Sequence, residues 1–197
     1  MGLASKIFLG MVTFANFAMA ETSANVDVKL SPAGSFKLVT KEVKGKATKQ
    51  GNSVSAENIV VVLKNVSSGI SLRDEHTKNK YLEVSKFPDA TLISAKGENG
   101  KGTGVIKIKG IEKPISGTYT IKGNELAAQF ELKLSDFGIK GIKYMGVGVN
   151  DIVKVSVNVP LAQGVARNAQ QQQRTSASVG GKPTSFPGAG TQTPKRK

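Results

Sequence analysis

Three stretches of the chain alternate apolar and polar residues with a period of two. They are Ile115, Gly117, Tyr119 and Ile121; Leu126, Ala128, Phe130, Leu132 and Leu134; and Val153, Val155, Val157 and Val159. Successive side chains of an extended strand point to opposite faces, so each stretch has one apolar face and one that meets water. This is the pattern of antiparallel strands rather than of a parallel sheet covered on both sides. Weaker versions predict further strands at about 26–31, 35–50, 54–63, 90–96 and 103–109. Gln50-Gly51-Asn52, Gly97-Glu98-Asn99-Gly100 and Lys122-Gly123-Asn124 supply turn chemistry between them. Between Ser71 and Val84 the alternation stops, and a polar run through Lys80 predicts a short helix or structured loop crossing between strands.

About eight one-faced strands of this kind bury their apolar sides by closing into a barrel or by packing as a sandwich. Gly117 and Ala128 fall on apolar faces, and Gly104 lies near the start of another strand. Small residues there leave room inside a hollow barrel, or else serve close packing or a sharp bend.

The two ends of the chain have a different composition. Lys6, the apolar run Ile7 to Phe17 and Ala18-Met19-Ala20 form an export signal over residues 1–20, with Glu21 as the expected mature N-terminus. The apolar run is broken by Thr13 and Asn16 and is too short to span a bilayer. A soluble protein of the periplasm or the secreted space is expected. Residues 162–197 contain Gln170 to Gln173, three prolines, six basic residues and no acid, with apolar residues at neither spacing. Such a segment is expected to be disordered and to touch anionic membrane surfaces weakly. The ordered domain is therefore placed at 21–161.

Charge and residue usage narrow the chemistry. The chain carries 28 Lys and Arg against 14 Asp and Glu, a net charge of +14, with no Cys, no Trp and one His. Disulfide scaffolds, iron–sulfur sites, Cys nucleophiles and multi-His metal centres are excluded, and neither a metal nor a cofactor is expected. Lys41, Lys44, Lys46, Lys49, Lys107 and Lys109 invite a nucleic-acid reading. Single-strand binding adds exposed aromatics for base stacking, and here aromatics are 6% of residues and mostly face inward. A solvated basic face is the expectation, with no specific nucleic-acid partner.

Asp136-Phe137-Gly138 spells a kinase tripeptide but lacks every companion motif. His76, after Arg73-Asp74-Glu75, permits a general base oriented by a carboxylate. With no nucleophile to serve, it reads instead as a loop histidine locked by its charged neighbours.

In order along the chain stand Arg73-Asp74-Glu75-His76, Tyr81-Leu82-Glu83-Val84, Lys86-Phe87-Pro88, Ala90-Thr91-Leu92, Gly104 to Gly110, Lys113-Pro114, Asp136-Phe137-Gly138-Ile139 and Asn150-Asp151-Ile152-Val153. This ordered set resembles the YceI-like family of exported lipocalin-like proteins over roughly residues 25–161. Thr77, Lys107 and Lys109 depart from the family's usual residues at their positions. The resemblance implies an all-β fold, an eight-stranded antiparallel barrel with a short helical crossover around an elongated apolar pocket. It also implies a non-enzymatic binding protein for polyisoprenoids or other long-chain amphiphiles. Phe36, Leu38, Ile115, Tyr119, Ile121, Phe130, Leu132, Phe137 and Ile142 are the expected wall, with Phe87 near a mouth and Arg73, Asp74 and His76 in the motif loop. A structural or adhesion protein of the cell envelope, and an enzyme built on His76, are the competing readings.

Overall fold

The computed structural model describes residues 21–164 except Met145. The expected export signal and almost all of the expected tail lie outside the described residues. Twelve strands form: β1 (Ser23–Ser31), β2 (Ser35–Thr40), β3 (Val43–Lys44), β4 (Ala47–Gln50), β5 (Ser53–Val62), β6 (Asp89–Glu98), β7 (Lys101–Ile108), β8 (Ile111–Lys122), β9 (Glu125–Lys133), β10 (Lys143–Tyr144), β11 (Val147–Val149) and β12 (Ile152–Gln163). A crossover between β5 and β6 holds helix α1 (Ser71–Glu75), which runs on into a π-helical turn over His76–Tyr81. A 3-10 turn, Leu134–Phe137, follows β9. Among the described residues no helix is long and apolar enough to cross a membrane.

The sheet is a closed barrel. Strands β4, β5, β6, β7, β8, β9 and β12 pair in that order, and β12 returns to β4. Every contact in this ring is antiparallel except the closing seam, where Leu161 to Gln163 run parallel to Ala47 to Lys49. Hydrogen bonding thus closes seven strands. Outside the ring, the β1–β2 hairpin continues along β12 beside the seam through Ser23↔Asn158 to Asp27↔Lys154, β11 and β10 extend from the end of β1, and β3 pairs with β5. β12 extends two residues past the expected domain end at 161, and the Gly164 amide still donates to the Lys49 carbonyl.

The single strand expected over 35–50 is broken into β2, β3 and β4. The buried Thr40 hydroxyl accepts from the Glu42 amide and turns the chain. Gly45, at φ +113°, then lets it pass over Ile59, where a Cβ would lie 2.7 Å from the Ile59 side chain. Asn99-Gly100 and Lys109-Gly110 both adopt positive φ, as the tight turns of the β6–β7 and β7–β8 hairpins require.

The inward faces form two apolar layers along the bore. One gathers Val28, Leu63, Ile106, Leu132, Phe137, Val153 and Val155, with the crossover packed against it. The other gathers Val54, Ile59, Leu126, Val159 and Leu161 around the fully buried Ala47.

Candidate functional site

The first layer does not fill its end of the barrel. It surrounds an apolar cavity of about 690 Å³, within the range of small-molecule sites. β1 contributes Val26, Val28 and Leu30 to the wall, β2 contributes Phe36 and Leu38, and β12 contributes Val153, Val155 and Val157. Phe130, Leu132, Leu134 and Phe137 line one side, with Ile139 and Ile142 following the 3-10 turn.

Polar lining is confined to one end. Arg73, His76, Thr77 and Lys80 come from the crossover and Lys143 from β10. Beside them Ile70 and Leu72 are 50% and 51% exposed while also lining the cavity, which marks the crossover as its mouth. The arrangement suits a molecule with a long hydrocarbon part and one polar end. Among the described residues, no group of three or more acidic or imidazole side chains is placed to hold a metal ion.

The motif residues fasten this mouth. Arg73 lays its guanidinium over the Phe36 ring, 4.2 Å from its centre, and so ties the crossover to β2. Asp74 turns away from the cavity and accepts from the Ser67 hydroxyl at 2.6 Å and from the Ser68 amide and hydroxyl at 2.7 and 2.6 Å. Burial would raise the Asp74 pKa, but these hydrogen bonds and the charge of Lys78 more than reverse that and hold it low. Asp74 and Arg73 are thus engaged with Ser67, Ser68 and Phe36 rather than with His76.

At the far end of the crossover Lys109 donates to the Glu83 carboxylate at 2.6 Å and to the Tyr81 carbonyl at 2.9 Å. The Lys109 side chain is only 12% exposed, and both Lys109 and Glu83 sit at positive φ. Hydrogen bonds from Lys109 and Lys86, with the Lys109 charge, hold the Glu83 pKa below its ordinary value. The Asp136-Phe137-Gly138 tripeptide is a cap of the barrel. Phe137 is buried in the cavity wall, and Gly138 ends the 3-10 turn at φ +72°. Asp151 accepts from the Ser135 amide and hydroxyl, both at 2.7 Å, and these bonds depress its pKa.

All three depressed carboxylates fix elements around the cavity. Each stabilises the fold above its unfolded pKa, and that contribution disappears as pH falls through its lower folded value. Melting temperature should therefore decline as pH drops below about 4.5, the ordinary Glu value, and further below 3.8 for the two aspartates. Circular dichroism melts of Glu83→Gln should lack the first decline; an identical acid profile would refute the role given to Glu83.

Of the ten residues expected at the pocket, nine on its wall and Phe87 near its mouth, Phe36, Leu38, Phe130, Leu132, Phe137 and Ile142 line the large cavity. Ile115 and Tyr119 line a separate small one, which Phe130 also borders. Ile121 packs in the second apolar layer and lines neither, because it lies beyond Tyr119 on β8 toward the opposite end. Phe87 also lines neither and lies instead against Gly110, where an added Cβ would be 3.5 Å from its ring. Unforeseen wall residues are Val26, Val28 and Leu30, whose alternation was legible, and Ile70, Leu72 and Leu82, which have no periodic signal.

The sequence matches the YceI-like domain family over residues 12–161. Curated protein sequences gave no match. Among solved structures the fold is similar to Burkholderia cenocepacia BcnA, at 15% identity and a TM-score of 0.56, over 70% of this chain and 94% of that one. It is also similar to a mutant Campylobacter jejuni YceI protein with a monobromobimane guest, at 14% identity and a TM-score of 0.51, over 80% and 97% of the two chains. A polyisoprenoid binding domain from Saccharophagus degradans, implicated in plant cell wall breakdown, aligns at 11% identity and a TM-score of 0.48, over 71% and 92%. With the family match spanning most of the chain, the protein belongs to the YceI-like family.

Proposed function

We propose that the protein is an exported, non-enzymatic carrier that sequesters a polyisoprenoid or similar long-chain amphiphile inside the barrel. The carrying observation is the large cavity, hydrocarbon-walled along its length and polar only at its mouth. The YceI-like fold with such a cavity is that of a binding protein. Moving a lipid tail out of water into this bore is favourable by about 25 cal/mol per Å² of apolar surface removed. The residues at the mouth then meet the polar head. The basic stretch after residue 164 would hold the carrier near anionic membrane surfaces from which the ligand comes.

An open cavity speaks against a purely structural envelope protein, whose barrel would gain most from a filled core. His76 does line the cavity, but the carboxylate expected to orient it is bound to Ser67 and Ser68. The enzyme reading thereby loses its acid–base pair.

Organic extraction of protein purified without detergent, followed by mass spectrometry, should yield one class of long-chain lipid in near-stoichiometric amount. An empty protein that also fails to take up added prenols would refute the reading. Intact mass of the exported protein should begin at Glu21; recovery of the full-length chain in the membrane would refute export.

A further inference from the structure

Behind the large cavity lies the second apolar chamber, of about 130 Å³, in the opposite half of the barrel. Five residues border both spaces: Val61, Ala90, Ile106, Phe130 and Val157. Phe130 is the only one with a ring, and all the others are aliphatic. It pairs across the sheet with Val155 on β12 and with Gly117 on β8. Gly117 brings no side chain to that pair, so the Phe130 side chain has no cross-strand partner on β8. Tyr119 lines the small chamber, and its ring packs so tightly on Gly97 that a Cβ there would lie 2.6 Å away. Ala128, the residue one step along the same face from Phe130, lines this chamber and leaves it empty.

We propose that Phe130 is the depth stop of the bore, setting the longest tail the barrel accepts and sealing off the small chamber. This rests on the carrier reading above. A straight tail entering from the crossover removes more apolar surface from water with each methylene, and binding tightens about fourfold per added carbon. Once the chain end meets the Phe130 ring, further carbons must fold back or stay at the mouth, and the gain ceases. Removing the ring would join the two spaces and move that limit to longer chains.

The test is isothermal titration of straight-chain fatty acids from decanoic to icosanoic acid. In the wild-type protein affinity should rise with length and then level off. In Phe130→Ala the levelling point should move to longer acids, so that the longest bind about tenfold or more tighter than to the wild type. Adding Ala128→Leu to Phe130→Ala refills the chamber and should restore the wild-type limit, whereas Ala128→Leu alone should leave it unchanged. Should Phe130→Ala melt too low to assay, Phe130→Leu should shift the limit in the same direction by less. An unshifted limit in a folded variant, or no limit in the wild type, overturns the depth stop while the carrier reading stands. Absence of binding by the wild type across the series overturns the depth stop, and the carrier reading falls with it if added prenols are refused as well.

Discussion

Leu132→Gln should leave a folded barrel that has lost its ligand. Leu132 is buried, lines the large cavity and pairs with Val153 across the seam of β9 and β12. The substitution nearly conserves length but puts an amide on a wall that meets the hydrocarbon tail. In the empty cavity that amide can hold water, whereas ligand entry strips the water away and offers no hydrogen bond in return. Leaving an amide unpaired costs about 1–3 kcal/mol in proteins, so affinity should fall by roughly one to two orders of magnitude. Gln129→Arg, one residue earlier on β9, tests the opposite face. Gln129 is exposed and stands in register with Thr118 and Ser156, a polar outer row in which a guanidinium stays solvated. Its affinity should stay within about twofold of the wild type. The comparison requires thermal melts on each variant, then titration with one lipid. Equal binding by folded Leu132→Gln and wild type would show that the tail does not lie in this cavity.

The contrast between these neighbours was legible in the sequence, because β8, β9 and β12 write their two faces into strict alternation. What the alternation does not record is which strands are joined by hydrogen bonds. The parallel seam between β4 and β12 involves only Ala47–Lys49 and Leu161–Gln163, too few residues for a period to show. The breaks within 35–50 arise from one hydroxyl turning back on Glu42 and one glycine crossing Ile59. Each depends on a tertiary neighbour rather than on local composition.

The candidate site divides in the same way. Phe36, Leu38, Phe130 and Leu132 reach the cavity because their strands are amphipathic, and Val26, Val28 and Leu30 follow the same rule. Ile70, Leu72 and Leu82 come from a crossover whose helical turns are too short for a hydrophobic face to repeat. Ile121 shows the limit of face reasoning. Alternation placed it inside the barrel, but not at which height along the axis. Since the cavity occupies one half of the bore, an inward residue in the other half packs as ordinary core. The motif residues were visible as an ordered set, yet their roles emerged only from contacts far apart in sequence, such as Lys109 with Glu83 and Arg73 with Phe36.

Gly117→Ala should be among the most damaging of the conservative substitutions, although it adds a single methyl group. Small residues on inward faces allowed two explanations, a hollow interior or a close approach of strands, and the geometry at Gly117 supports the second. A Cβ built there would lie 2.9 Å from the Phe130 Cβ and closer still to the Gln129 carbonyl oxygen. Backbone atoms cannot swing aside as a side-chain tip can, so β8 would have to move away from β9 along the Gly117↔Phe130 register. Overpacking of this kind costs about 1–3 kcal/mol, and a clash with rigid backbone belongs at the upper end. At about 2–4 °C per kcal/mol, the melting temperature should fall on the order of 10 °C. Gly123→Ala is the matched control, since an added Cβ there meets nothing within 4 Å and the cost comes only from its φ of +57°. That strain is about 1 kcal/mol, roughly a third of the expected effect at Gly117. If the two variants melt together, strand approach at Gly117 is not the constraint, and the glycine is there to leave space for the small chamber it lines.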